Sequence, residues 1–157
     1  MKESIAPWAN LATAYEKKGD YTKAIEYHNE IIKKDSATAE TYMNRGSVYL
    51  NAQMPEKALP DLEKAMSMPK LKNKKLARGS LATAQLNVGK YREALDNYII
   101  MIDKEEVKNN SEYYYKRNLA KTKFGDNQGA IVDIKECVKL KPSHVKGARS
   151  TVLLGVK

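Results

Sequence analysis

The sequence predicts an all-α fold built as an array of paired helices, and three observations carry that expectation. Helix breakers are scarce, with five prolines and eight glycines in 157 residues, against abundant Ala, Leu, Lys and Glu. A short block recurs four times, as "GDYTKAIEY" at 19–27, "QMPEKALPDL" at 53–62, "GKYREALDNY" at 89–98 and "GDNQGAIVDI" at 125–134, with Ala24, Ala58, Ala94 and Ala130 spaced by 34, 36 and 36 residues. Upstream of each lies a second matching block: "WANLATAY" from Trp8, "YMNRGSVY" from Tyr42, "RGSLATAQ" from Arg78 and "YYKRNLAK" from Tyr114. Each unit is therefore two helical segments joined by a short turn.

The periodicity within the units agrees. Trp8, Leu11, Ala12 and Tyr15 follow i, i+3, i+4, i+7 spacing, and Ala24, Tyr27, His28 and Ile31 repeat it, as two amphipathic helices require. Extended along the chain, the pattern places helices at 5–18, 21–34, 38–51, 55–67, 74–88, 91–104, 111–124 and 127–140. Small residues such as Ala12, Gly46 and Ala82, facing Ala24, Ala58 and Ala94, let paired helices approach closely. One pair cannot bury its apolar face alone, so the units are expected to stack into a solenoid. Pro60 falls inside the fourth helix, where the missing N–H and the ring clash predict a kink. The joint "PKLKNKK" at 69–75, with one proline and four lysines, is the best candidate for a loosened junction, although a simple solvated loop is the favoured reading of it.

The chain resembles the tetratricopeptide repeat, whose unit of about 34 residues carries an aromatic, a leucine, a small residue and a tyrosine on helix A, a glycine at the turn and an alanine on helix B. The first unit matches through Trp8, Leu11, Ala12, Tyr15, Gly19, Tyr21 and Ala24. The second matches through Tyr42, Gly46, Tyr49 and Ala58, the third through Leu81, Ala82, Gly89, Tyr91 and Ala94, and the fourth through Tyr114, Gly125, Ala130 and Pro142. The departures are Arg45 and Arg117 at the leucine position, Asn118 at the small residue, Gln85 and Lys121 at the tyrosine, and Arg78 at the aromatic. The resemblance implies an α-α superhelix, a right-handed solenoid forming a single domain over 1–157. Its four helix-turn-helix repeats fall near 5–38, 39–72, 75–108 and 111–144, and a C-terminal capping helix over 145–155 turns Val145, Ala148, Val152 and Leu153 inward.

Composition excludes several other classes. No apolar run approaches the roughly 20 residues that span a bilayer, and the start "MKESIAPWANL" lacks the apolar stretch of a secretory signal. The chain as it stands reads as cytoplasmic. Cys137 is the only cysteine, so no internal disulfide forms. With two histidines it is also too little for a Cys/His structural zinc site, and Cys137 reads as a buried thiol. Glu26 and Glu30 share one helical face while His28 points about 160° away, so the three cannot converge on a metal. His28 reads instead as a core residue. No glycine-rich phosphate loop and no Ser/His/Asp or Cys/His set is present. The expectation is a chain without catalytic activity, metal or cofactor.

What remains is binding. In the resembled family a concave surface lined by the A helices grips a segment of another protein. Carried residue by residue onto this sequence, that lining is Asn10, Thr13 and Lys17 in unit one; Met43, Asn44, Ser47 and Asn51 in unit two; Ser80, Thr83 and Asn87 in unit three; and Tyr115, Lys116 and Lys123 in unit four. Lys146 and Arg149 continue the row. The asparagines suit a peptide backbone, and the lysines and arginine suit acidic side chains. The formal charge supports an acidic partner, since residues 1–68 carry net −1 and residues 69–157 net +10. One branch of the family grips a terminal carboxylate through a Lys and Asn set, but only Asn44 matches it here. Two alternatives stand beside the protein-binding scaffold: an RNA-binding module using the basic half and the tyrosine run at 113–115, and a self-association or regulatory segment of a longer protein. Against nucleic acid, Tyr15, Tyr21, Tyr49 and Tyr91 fall at packing positions. No small-molecule substrate is implied, and the oligomeric state is left open.

Overall fold

The computed structural model describes residues 5–34, 37–104 and 107–145. All regular structure among them is helical: α1 (Ala6–Lys18), α2 (Tyr21–Lys33), α3 (Ala39–Asn51), α4 (Pro55–Ser67), α5 (Lys74–Asn87), α6 (Tyr91–Lys104), α7 (Ser111–Phe124), α8 (Asn127–Leu140) and a 3-10 turn at Pro142–Val145. The bounds expected for these eight helices each lie within one residue of the observed ones.

The turns explain that agreement. In the first repeat Gly19 adopts φ 82, and its N–H donates to the Glu16 carbonyl, which closes α1. Asp20 then caps α2 by accepting from the Lys23 N–H at 3.2 Å. "GD" recurs in repeat four, where Gly125 has φ 95 and Asp126 accepts from the Gly129 N–H. A left-handed glycine thus ends one helix and an aspartate satisfies the free amides of the next. Gly89 takes the same conformation at φ 84, but in repeat two the position is held by Gln53 at φ 58. Thr38 and Thr41 start α3 with a reciprocal capping box. Helix α4 continues through the exposed Pro60 to Ser67.

The chain divides into two compact units, one up to Val88 and one from Gly89 onward. In the first, α1 to α5 pack in sequence, and α3 also meets α5. Its centre is lined by Ala12, Ala24, Val48, Ala58, Leu62 and Ala84, each 0% exposed. Gly46 permits the α3–α4 approach, since a Cβ there would sit 2.7 Å from the Leu62 Cγ and 3.4 Å from the Ala58 carbonyl. Two contacts tie the 69–75 joint to neighbouring helices. Leu71 packs against Met43, Ala65 and Ala77. The Lys72 N–H donates to the Glu40 carboxylate at 2.8 Å, a bond that lowers the Glu40 pKa.

In the second unit α6, α7, α8 and the 3-10 turn pack in order. Met101, Ile102 and Val107 form one cluster with Tyr113 and Tyr114 against it. Ile134 and Cys137 form another, packed by Tyr114 and Tyr115. Burial raises the Cys137 thiol pKa, as suits an inert core thiol. Of the expected capping helix, everything beyond Val145 lies outside the described residues.

Four departures from the repeat pattern, Arg45, Arg117, Asn118 and Lys121, make interhelical polar contacts. Arg45 donates to both carboxylate oxygens of Asp61 on α4, at 2.6 and 2.7 Å, and to the Asn29 Oδ1 on α2 at 2.7 Å. Seventy-two residues on, Arg117 donates to both oxygens of the fully buried Asp133 on α8, at 2.9 and 2.7 Å. Lys121 approaches the same carboxylate at 3.1 Å. Asn118 donates to the Ala130 carbonyl at 2.8 Å, so an amide occupies the close crossing that Gly46 leaves open in repeat two. Bidentate geometry and full hydrogen bonding are what make a buried charge tolerable.

Candidate functional site

The candidate site is the face that the A helices turn away from their B partners. In the first unit it runs over α1, α3 and α5, and two cross-helix contacts show how closely those helices follow one another. The Asn51 Nδ2 donates to the Glu16 carboxylate at 3.0 Å, joining α3 to α1. Ser47 and Ser80 bring their hydroxyls to 3.4 Å, joining α3 to α5. Helical periodicity then sets Asn10, Thr13 and Lys17 beside Asn44, Ser47 and Asn51, and these beside Ser80, Thr83 and Asn87.

Asn10, Lys17, Asn44 and Asn87 are exposed. Their amides and ammonium can meet a ligand backbone or carboxylate. The threonines are partly engaged, Thr13 donating to the Ala9 carbonyl at 3.0 Å and Thr83 to the Gly79 carbonyl at 2.9 Å. The Thr13 oxygen keeps its lone pairs for an incoming donor. Glu16 was not among the sequence-derived candidates, yet its carboxylate joins this face through Asn51. Its place one turn from Thr13 was the available signal.

Met43 does not belong to the lining: it is 4% exposed and packs with Ala65 and Ala77. Its unbranched chain reaches inward to fill the space between α3, α4 and α5. On α7, in the second unit, Tyr115 is half-buried against Ile134 and Cys137. Lys116 pairs with Glu112 at 2.8 Å, whereas Lys123 is exposed. Lys146 and Arg149 lie outside the described residues.

The histidine considered for chemistry is core. His28 is 4% exposed, and its Nδ1 has no hydrogen-bond partner. Burial first, and the positive charge of Arg45 second, lower its pKa to about 4, with Asp61 opposing. The ring is thus neutral at physiological pH, facing an ion pair already satisfied by its own contacts. Among the described residues no group of three or more His, Cys, Asp or Glu side chains is placed to hold a metal ion. None of the described helices is long and apolar enough to cross a membrane.

Comparison with known proteins bears on the fold. Tetratricopeptide repeat family models match residues 8–40 and 39–70. Among solved structures, YrrB, a TPR protein with an unusual peptide-binding site, superposes with TM-score 0.79 at 18% identity, over 90% of this chain and 71% of that one. MamA superposes with TM-score 0.81 at 22% identity, over 98% and 81%. A MamA from Desulfovibrio magneticus RS-1 gives 0.80 at 19% identity, over 93% and 80%. No curated protein matches the sequence. At these identities the likeness is one of fold alone. With repeat models matched over residues 8–70, eight helices at the repeat spacing among the described residues and these neighbours in fold, the chain is a tetratricopeptide repeat domain protein.

Proposed function

We propose that this protein is a non-catalytic scaffold that binds an extended segment of another protein across the A-helix face of α1, α3 and α5. The supporting observation is the row of exposed amides Asn10, Asn44 and Asn87, set on helices that hydrogen-bond to one another through Asn51–Glu16 and Ser47–Ser80. An asparagine amide donates and accepts at once, which suits a peptide backbone read independently of its side chains. Lys17 on α1 extends this reading to a partner with acidic character. YrrB, with its peptide-binding site, is a relative in fold only.

The RNA-binding alternative loses its chief support, because Tyr113, Tyr114 and Tyr115 all pack against core clusters. Stacking on bases needs aromatic faces open to solvent.

Affinity selection of a peptide library on the immobilised protein tests the proposal, followed by calorimetry with the selected peptide. The double variant Asn44→Ala/Asn87→Ala is expected to weaken binding about tenfold or more, the scale of one or two lost hydrogen bonds. Unchanged affinity would move the site off this face.

A further inference from the structure

The joint between α4 and α5 carries a charge pattern that the A-helix face does not use. Residues 64–92 hold eight Lys and Arg and no Asp or Glu. Four of those cations, Lys70, Lys72, Lys74 and Lys75, fall within six residues of one another, and all are exposed. The backbone beneath them is held in place. Leu71 packs against Met43, Ala65 and Ala77, while Lys70 and Lys72 on either side of it stay in solvent. The Glu40 carboxylate is taken by the Lys72 backbone N–H at 2.8 Å, and among the described residues no carboxylate pairs with the ammonium of Lys70, Lys74 or Lys75. Leu76 follows directly, 53% exposed.

Two of these lysines stand where helix formation disfavours them. Lys74 and Lys75 open α5, whose first turn holds no acidic residue and whose N-cap, Asn73, makes no side-chain hydrogen bond. A cation in that turn opposes the helix dipole. Elsewhere in the first unit a cation at a helix start has a carboxylate beside it, Lys23 with Asp20 at 3.8 Å and Lys57 after Glu56. Charge that costs the helix stability and is unpaired within the fold is open to an outside anion.

The residues around the lysines select among anions. No aromatic residue occurs over 64–90, so bases find no stacking platform. Lysine offers a point charge rather than the planar fork that grips a carboxylate in two places. The exposed Leu76 adds an apolar side chain, and the interface of an anionic bilayer accommodates both, with charged headgroups lying over acyl chains. We propose that the Lys70–Leu76 corner docks on an anionic lipid surface, the four ammonium groups meeting the headgroups and Leu76 entering the boundary beneath them. The attachment is peripheral and reversible. It uses none of Asn10, Asn44 and Asn87, and is independent of peptide binding there.

Co-sedimentation of the full chain with vesicles tests this, using phosphatidylcholine alone and an equal mixture with phosphatidylserine. The wild type is expected to pellet with the mixed vesicles and not with the neutral ones, and to be released as salt rises. A lysine near an anionic surface contributes about fivefold to partition, so Lys74→Ala/Lys75→Ala is expected to lose about 25-fold. The same variant relieves the start of α5 and should raise the urea midpoint, which separates lost docking from lost folding. Leu76→Ser should weaken partition several-fold and leave its salt dependence unchanged. Lys57→Ala/Lys135→Ala removes equal charge from exposed positions elsewhere and should lose far less. Failure of the wild type to pellet with the mixed vesicles, or an equal loss in Lys57→Ala/Lys135→Ala, would overturn the proposal. Tighter binding of polyglutamate or mixed RNA than of the mixed vesicles at the same salt, unaffected by Leu76→Ser, would overturn it in favour of a soluble polyanion.

Discussion

Gln53 holds the left-handed turn position that Gly19, Gly89 and Gly125 hold in the other repeats. A side chain there costs about 1–2 kcal/mol in Cβ crowding, and glycine would return part of that as extra unfolded-state entropy. Gln53→Gly is expected to raise stability by about 0.5–1 kcal/mol, read from the urea midpoint. Gly46→Ala should act in the opposite direction. Alanine improves helix propensity by about 1 kcal/mol, but its Cβ would fall 2.7 Å from the Cγ of the fully buried Leu62, and overpacking of that kind costs about 1–3 kcal/mol. A net loss near 1 kcal/mol is expected in the same assay. His28 supplies the pH dependence. Its pKa falls from an ordinary 6.5 to about 4 in the folded chain, so between those values the unfolded state binds the extra proton. Its contribution is fully present above pH 6.5 and is lost as pH falls toward 4, by about 3 kcal/mol at most. His28→Leu should flatten this part of the stability–pH curve, and a slope unchanged by the substitution would assign the dependence to other groups.

Between helices, the Arg–Asp pairs replace an apolar contact with a polar tether reaching three elements at once, α3 to α4 and α2 for Arg45. Asp61→Ala would leave the Arg45 guanidinium unpaired in a site where its side chain is 18% exposed, and the expected loss is about 2–3 kcal/mol, below the full penalty of a wholly buried charge. The double variant Arg45→Leu/Asp61→Asn copies the residues of repeat three, Leu81 and Asn97, and should recover most of that loss. A double-mutant cycle by chemical denaturation measures the difference. These tethers also mark the limit of what was legible beforehand. Helix boundaries were readable because Gly19, Asp20, Gly125 and Asp126 act within one turn of where they stand. The A-helix rows rest on helical periodicity alone. Arg45, Arg117, Asn118 and Lys121 read as departures from a pattern, since their partners Asp61, Ala130 and Asp133 sit on another helix and only folding shows the pairing. Met43 was misplaced for a related reason. Its register matches the lining positions, but its length lets it turn inward toward Ala65 and Ala77.

Across the whole chain, charge is the property that neither a residue nor a helix reveals. Residues 69–157 carry net +10 and residues 1–68 net −1, an imbalance that attracts acidic partners at long range and speeds their encounter. The structure sorts the cations behind that number. Arg117 and Lys121 are committed to the buried Asp133, and Lys116 to Glu112. Lys123 is exposed, so its charge is the more available to a ligand. Charge reversal therefore separates local pairing from long-range attraction. Lys123→Glu is expected to weaken binding of an acidic peptide several-fold, mainly through the association rate. Lys116→Glu should weaken it less per ligand contact, while adding repulsion against Glu112 that is read as a small loss of stability. Both effects should shrink as salt shortens the Debye length from about 10 Å at 0.1 M toward about 3 Å at 1 M. Surface plasmon resonance across that salt range measures them. An affinity independent of salt and of both reversals would remove the acidic partner while leaving backbone recognition by Asn44 and Asn87 intact.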